Sequence, residues 1–335
     1  MDYFGLLLSA LNQGMIYAPM ALGVFIAFRI LNTPDLTIDG SLVLGMCVCA
    51  AVTISGHPYL ALFAGLLAGA AAGFVTGLLQ TGLKIAPILS GVLTMTGLYT
   101  VNYMILGGQS NLYLQSLTEN EGGVPVQTSS PTLYKSFHEF FTQMQNGRAI
   151  DGNLSALLLT AGIVGIAAGM LCIFFKTRTG IAIRATGDNE EMVRSSSINA
   201  DASRILGIML TNAFVALSGA LLCQQQRYAD LNCGNGMLVV GLASVIIGQI
   251  FFGKKSVMTG IFSAILGSLI YRIILQVAYQ ADMPSYGVKL LSAVIVVFAL
   301  ALPLLKNSTC QALKAIPMFR KVTGRSKSAE REVHK

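Results

Sequence analysis

Side chains able to do chemistry are few in this sequence and badly grouped for it. The three histidines, His57, His138 and His334, lie far apart and outside the long apolar runs. No imidazole is therefore placed to share a proton with a carboxylate or a nucleophile. The six cysteines (Cys47, Cys49, Cys172, Cys223, Cys233, Cys310) are scattered, mostly within apolar stretches, where a cysteine serves as a small buried hydrophobe. Cys47 and Cys49 are two apart on an expected helix and point to different sides, a poor pair of metal ligands. Gly248-Gln249-Ile250-Phe251-Phe252-Gly253-Lys254-Lys255-Ser256 nearly fits the phosphate loop G-x-x-x-x-G-K-[ST]. However, Lys255 stands where a hydroxyl must hold magnesium, and the run ends an apolar segment rather than forming a strand-to-helix turn. The residues point away from an enzyme and toward no catalytic group, metal site or cofactor in the chain itself.

A second set of polar residues falls inside the apolar runs: Asn12, Gln13, Asp39, Thr94, Thr96, Asn102, Asn212, Gln249 and Arg272. Such groups are costly in lipid and usually face a bundle interior. Each reads either as the lining of a polar path or as a hydrogen bond between helices, worth about 0.6 kcal/mol. Asn12, Asp39, Thr94, Thr96 and Asn102 are the path candidates. Asp39 lies at an expected helix break, and the other α-helical candidates at 94–102 follow Pro87. Arg272 requires a carboxylate, a group of carbonyls or an anionic solute, unless it snorkels to the surface.

The elements that must position these residues are membrane helices. Of 335 residues, 54% are hydrophobic and only 11% charged, with a mean hydropathy of +0.67, against about 25% charged in soluble domains. Apolar runs of about 20 residues select helices over a barrel. Nine spans are predicted, near 4–28, 40–54, 59–82, 86–106, 154–175, 205–223, 236–252, 257–279 and 288–305, the second and seventh short. The expected fold is an all-α polytopic bundle, with a transmembrane domain over 1–305 and a basic tail over 306–335. The start of the chain has no cationic region or cleavage site of a signal peptide, so the first span is expected to stay. Placing the N-terminus outside puts seventeen of the 22 Lys and Arg residues in the cytoplasm, which favours N-out and C-in. The net charge of +7 then faces anionic lipid headgroups rather than nucleic acid.

Three patterns refine this. Gly65, Gly69, Gly73 and Gly77 bare one face of the third span for close helix packing, and Gly165 and Gly169 do the same in the fifth. Asp35-Leu36-Thr37-Ile38-Asp39-Gly40-Ser41 is echoed, with one inserted residue, by Asp230-Leu231-Asn232-Cys233-Gly234-Asn235-Gly236. The two stretches start their short helices from opposite sides of the membrane, the mark of an inverted repeat with broken helices. The polar segment 107–152, expected outside, carries Tyr134, Phe137, Phe141 and Met144 at helical spacing, which predicts a short interfacial helix or a docking surface.

The segment 176–204, expected inside, contains Gly180-Ile181-Ala182-Ile183-Arg184-Ala185-Thr186-Gly187-Asp188-Asn189, with Asp188 as the expected N-cap of a helix that has Glu190 and Glu191 in its first turn. With Leu11-Asn12-Gln13-Gly14-Met15-Ile16-Tyr17-Ala18-Pro19, Leu36-Thr37-Ile38-Asp39-Gly40-Ser41 and Ala216-Leu217-Ser218-Gly219-Ala220-Leu221, it resembles the branched-chain amino acid and ribose-type ABC permeases. The resemblance covers most of the chain except the outer segment and the tail. It implies a bacterial inner-membrane permease paired with itself or a homologue, two ATPase subunits that bind ATP and magnesium, and an extracytoplasmic solute-binding protein. It also implies that Arg184, Thr186, Gly187, Asp188, Asn189 and Glu190 form the ATPase-coupling segment. The cargo would be a small polar solute, and Thr37-Ile38-Asp39-Gly40 with the expanded outer segment looks closer to a branch for which aromatic amino acids are one proposed cargo. The alternative, a secondary transporter or channel working without ATP, would be expected to couple through intramembrane carboxylates, and apart from Asp39 near a boundary the span interiors contain none.

Overall fold

The computed structural model describes residues 3–119, 125–129, 132–144, 152–196, 198–253, 256–280, 287 and 290–298. The tail 306–335, Lys254, Lys255 and Cys310 lie outside them, as does the predicted ninth span except for helical residues 290–298.

Helix α1 (Tyr3–Phe25) runs into a π-helical turn (Ile26–Ile30). After the non-helical stretch 31–36 come α2 (Thr37–Ile54), α3 (Pro58–Thr81) and α4 (Pro87–Ile105). Both α3 and α4 start on a proline, whose fixed φ suits the first turn and whose missing N–H costs nothing there. The segment after α4 forms β1 (Asn111–Tyr113), β2 (Gln115–Glu119), β3 (Pro125–Ser129) and α5 (Leu133–Met144). Then follow α6 (Gly152–Phe174), α7 (Arg178–Asp188), α8 (Glu190–Ser195), α9 (Ala200–Gln226), β4 (Tyr228–Asp230), α10 (Met237–Phe252) and α11 (Val257–Gln280). Seven of these helices are long and apolar enough to cross a bilayer: α1 with its π-helical turn, α2, α3, α4, α6, α9 and α11. The 16-residue α10 is apolar but shorter.

Helix α9 is the centre of the bundle, with every residue from Thr211 to Gln224 buried. The glycine face of α3 makes this possible. A Cβ on Gly69 would come within 2.3 Å of the Asn212 carbonyl oxygen, and one on Gly73 within 2.6 Å of that of Ile208, so the two backbones touch directly. The same expectation fails for α6. Nothing lies within 4 Å of a Cβ on Gly165 or Gly169, because α6 turns its Ser155, Thr160, Val164 and Leu171 face inward instead. Outward faces of α3, α4 and α6 are apolar, as lipid requires, with Phe63, Met104 and Ile166 well exposed.

The helix predicted around Tyr134 exists as α5, but it is anchored to the bundle. Leu133 N–H donates to Gln224 at the end of α9 (3.0 Å), Tyr134 hydroxyl meets Thr160 of α6 (3.0 Å), and His138 meets Ser155 (3.0 Å). Four short strands were not predicted. β2 and β3 form a hairpin, and β1 pairs antiparallel with β4, Leu112 opposite Ala229. The β1–β4 pairing joins stretches more than a hundred residues apart, which no local periodicity announces.

Candidate functional site

The two echoing stretches come together in space. Each opens with the same local bond: Asp35 Oδ1 accepts from Thr37 N–H (2.9 Å), and Asp230 Oδ1 accepts from Asn232 N–H (2.9 Å), an Asx turn that holds the chain off helix for a few residues. The helices that follow run in opposite directions. α2 lies parallel to α9, since Ser41 meets Asn212, Cys49 meets Ala220 and Thr53 meets Gln224. α10 is antiparallel to α11, which is antiparallel to α1, which is antiparallel to α9. Their first turns meet through Asp39, whose Oδ1 accepts from Leu238 N–H (2.7 Å) and whose Oδ2 accepts from Gly236 N–H (3.1 Å). The carboxylate of one broken helix thus caps the positive end of the other. Gly236, at φ 84°, supplies the left-handed turn that starts α10.

Around the start of α2 five polar side chains are buried and paired with one another. Asn212 of α9 donates to Asp35 Oδ2 (2.8 Å) and accepts from Ser41 hydroxyl (2.7 Å), while Thr37 and Thr76 hydroxyls meet at 2.9 Å. All five side chains are buried. Around the start of α10 lies a cavity of about 660 Å³ between α1, α9, α10 and α11. Asn12, Gln13, Tyr17, Asn235, Arg272 and Gln276 are among the residues lining it. The Arg272 guanidinium stacks on the Tyr17 ring, 3.6 Å from its centroid.

At the opposite end, α7 and α8 form an elbow. Thr177 caps α7, accepting from Gly180 N–H, and Asn189 caps α8, accepting from Met192 N–H (3.1 Å). The cap is one residue later than predicted: Asp188 closes α7, and its exposed side chain is free of the capping role. Gly187 lies so close to the π-helical turn that a Cβ there would sit 1.9 Å from the Ile30 carbonyl oxygen. Glu190 pairs with Arg194 (2.8 Å) and with Arg204 of α9, and Arg194 pairs with Asp201 (2.6 Å). The hydrogen bond from Arg194, helped by the charge of Arg204, holds the Glu190 carboxyl below the usual carboxylate range. Arg184, Asp188 and Asn189 are exposed, flanked by exposed Ile181 and Met192. A polar cavity of about 400 Å³ beside them is lined by Arg29, Asn32, Arg184, Asp188 and Gln249 among others.

Among the path candidates, Asn12 lines the large cavity and accepts from Thr160 hydroxyl (3.2 Å), and Asp39 caps α10. The α4 candidates lie elsewhere. Thr94 hydroxyl donates to Ser90 carbonyl of its own helix (2.9 Å), Thr96 faces outward and donates to Leu93 carbonyl (2.9 Å), and Asn102 reaches Gly40 carbonyl on α2 (3.4 Å). Thr186 is buried and bonds Ala182 carbonyl within α7 (2.8 Å). Sequence reasoning missed the Thr37–Thr76 pair and the role of Tyr17; the clue for Tyr17 was the need of Arg272 for a partner at its depth. The near-miss phosphate loop is helix from Gly248 to Phe252, with Gly248 packed against the Ser263 backbone.

A family model described as the permease component of a branched-chain amino acid transport system matches residues 6–300. The chain belongs to this permease family. The permease is 34% identical over 296 residues to a tyrosine transport system permease protein of Clostridioides difficile, covering 88% of this chain and 90% of that one. It is 29% identical over 300 residues to an uncharacterized protein of Rickettsia prowazekii, covering 88% and 97%. It is 26% identical over 268 residues to an autoinducer 2 import system permease protein of Yersinia pestis, covering 78% and 67%. No solved structure matches. The permease is thus the membrane-spanning component of an importer for small solutes, as the sequence motifs led one to expect.

Proposed function

We propose that this permease imports an amino acid, aromatic amino acids first among the candidates, using ATP hydrolysed on a separate subunit that docks on the α7–α8 elbow. Tyrosine transport by the relative from Clostridioides difficile supports the cargo. In this reading two permease copies, or this chain and a homologue, bind two ATPase subunits that hold ATP and magnesium. A solute-binding protein delivers cargo to the outer face, where the chain begins, and the α7–α8 face and the basic tail are cytoplasmic. The positive bias of that face, with Arg29, Arg178, Arg184, Arg194 and Arg204, supports the orientation.

The observation that carries the proposal is the elbow's combination of an exposed surface and a rigid mount. Arg184, Asp188 and Asn189 lie open to a partner, while Gly187 abuts Ile30 and Glu190 ties the elbow to α9. A tilt of α7 is then passed to the π-helical turn, to the linker before α2, and through Asp39 to the start of α10 beside the cavity. Interfaces packed this closely shift as units rather than deforming.

The test is uptake and ATP hydrolysis measured together in proteoliposomes holding the permease, its ATPase and its binding protein. Replacing Arg184 or Asp188 with Ala is expected to abolish uptake while ATP hydrolysis continues. Solute flux through the purified chain without any ATPase would overturn the proposal.

A further inference from the structure

Arg272 is an element of the large cavity whose chemistry the described residues leave incomplete. It sits in α11, in a bundle where an unpaired charge is expensive. Among the described residues no carboxylate lies within ion-pair distance of it, and its Nε is buried without a hydrogen-bond partner. The Tyr17 ring at 3.6 Å holds the guanidinium plane in place. Stacking attracts the cation through the ring face and the Tyr17 hydroxyl meets the guanidinium, yet Nε is left without an acceptor.

The cavity beside it has the size of a small-molecule site, about 660 Å³. Its remaining polar lining is neutral: Asn12, Gln13, Asn235 and Gln276 offer amide groups, and neither Asp nor Glu is among the lining residues. A pocket whose charged wall is cationic selects a ligand with an anionic group. The flat fork of a guanidinium matches a carboxylate in two parallel hydrogen bonds. Amide oxygens can accept from an ammonium group without adding a competing charge, and the rings of Tyr17, Tyr271 and Tyr279 along the wall suit an apolar or aromatic remainder.

We infer that the cavity between α1, α9, α10 and α11 is a binding site for a carboxylate-bearing solute, with Arg272 receiving the carboxylate and Tyr17 holding Arg272 in position. This deepens the proposed import of an amino acid and rests on it for the solute's route. It also gives Asp39 a purpose: by capping α10 it fixes Gly236 and Met237, which form part of the same wall. A lipid headgroup phosphate offers similar chemistry to a guanidinium, and the experiment separates the two sources.

The purified permease in nanodiscs of phosphatidylcholine is heated with L-tyrosine, with tyramine, which lacks the carboxylate, and with 4-hydroxyphenylpropionate, which lacks the ammonium. L-tyrosine and 4-hydroxyphenylpropionate are expected to raise the melting temperature and tyramine to leave it unchanged. Arg272→Gln should abolish both shifts, and Arg272→Lys, which keeps charge but loses the fork, should retain part of them. In the reconstituted transporter, Arg272→Gln is expected to raise KM for L-tyrosine by about tenfold or more. Should the Gln variant not fold, the Lys variant is read in the same two assays. Equal shifts with tyramine, or wild-type shifts and KM in both variants, would overturn the site. A stabilisation that depends on Arg272 but responds to phosphatidylglycerol and not to the carboxylates would assign the site to lipid and overturn it too. Failure of the wild-type transporter to import any amino acid would sink the proposed cargo, and the carboxylate shifts would still decide the site.

Discussion

The starts of α2 and α10 are nearly the same sequence placed in two environments. Both open with an Asp whose carboxylate accepts an N–H two residues on. At α2 the neighbours are α3 and α9: Asn212 of α9 donates to the Asp35 oxygen that Thr37 N–H leaves free, Thr76 of α3 meets the Thr37 hydroxyl, and all of these side chains are buried. At α10 the neighbours leave a cavity on one side, and the first turn is held by Asp39 from another helix. The difference teaches that an inverted repeat can supply a filled anchor and a cavity wall from one motif. Buried paired side chains fill the space at the start of α2, and at the start of α10 the neighbouring helices leave a cavity of the size a solute needs.

That contrast can be broken most severely on the anchored side. Gly69→Leu places a side chain where even a Cβ would meet Asn212 carbonyl at 2.3 Å, and overpacking of this kind costs about 3 kcal/mol. The expected result is loss of the monodisperse, folded protein in size-exclusion chromatography. Gly165→Leu on α6, with open space around it, should leave the profile unchanged.

The next effect separates the two helix starts directly. Asn212→Ala strands Asp35 Oδ2 and the Ser41 hydroxyl and should destabilise the protein by roughly 1–3 kcal/mol, read as a lower melting temperature. Asp39→Ala removes a cap, worth about 1 kcal/mol, yet should reduce uptake more than Asn212→Ala does at matched amounts of folded protein. Equal ratios of uptake to folded protein in the two variants would erase the distinction between anchor and cavity wall.

A smaller effect belongs to the elbow. The Glu190 carboxyl is held below its ordinary range by Arg194 and Arg204, so the ion pairs contribute stability at neutral pH and lose it as acid protonates the carboxylate through that lowered range. Being largely exposed and screened by solvent, the network contributes only weakly to stability. Glu190→Gln should therefore lower the melting temperature slightly at pH 7 and at low salt, and the difference from wild type should shrink as acid protonates the carboxylate through its lowered range. The smallest effect is expected from Thr96→Val. Its hydroxyl bonds only its own helix and faces outward, so uptake should be unchanged.

Much of the fold was legible in the sequence because membrane helices are written by length and apolarity. The spans expected near 59–82, 86–106, 236–252 and 257–279 appear within two residues as α3, α4, α10 and α11. The glycine face of α3 was readable for the same local reason, and so was the helix in 133–144. The shorter glycine pair on α6 misled, since spacing shows that a face is bare but not whether a neighbour within the chain comes to it. The site was less legible. Asn12 and Arg272 were named for being polar in apolar runs, but nothing in their spacing joined them to each other or to Tyr17, because α1 and α11 are separated by most of the chain. Thr94 and Thr96 satisfied the same rule and ended on a peripheral helix.

The sequence by itself determined that this protein is a bundle of membrane helices with two echoing helix starts, and its motifs resemble those of importer permeases; of the two helices expected to be short, α10 is, whereas α2 is 18 residues long. These properties follow from composition, run length and local motifs, each set by neighbours in the chain. Tertiary structure alone decided that Asp39 caps α10 rather than standing free. It likewise decided that Gly187 butts against Ile30 and that Arg272 lies on Tyr17 at the edge of a cavity. Those outcomes depend on which helix faces meet, and a hydrogen bond or a stacked ring forms only where distant segments arrive within a few ångströms of each other.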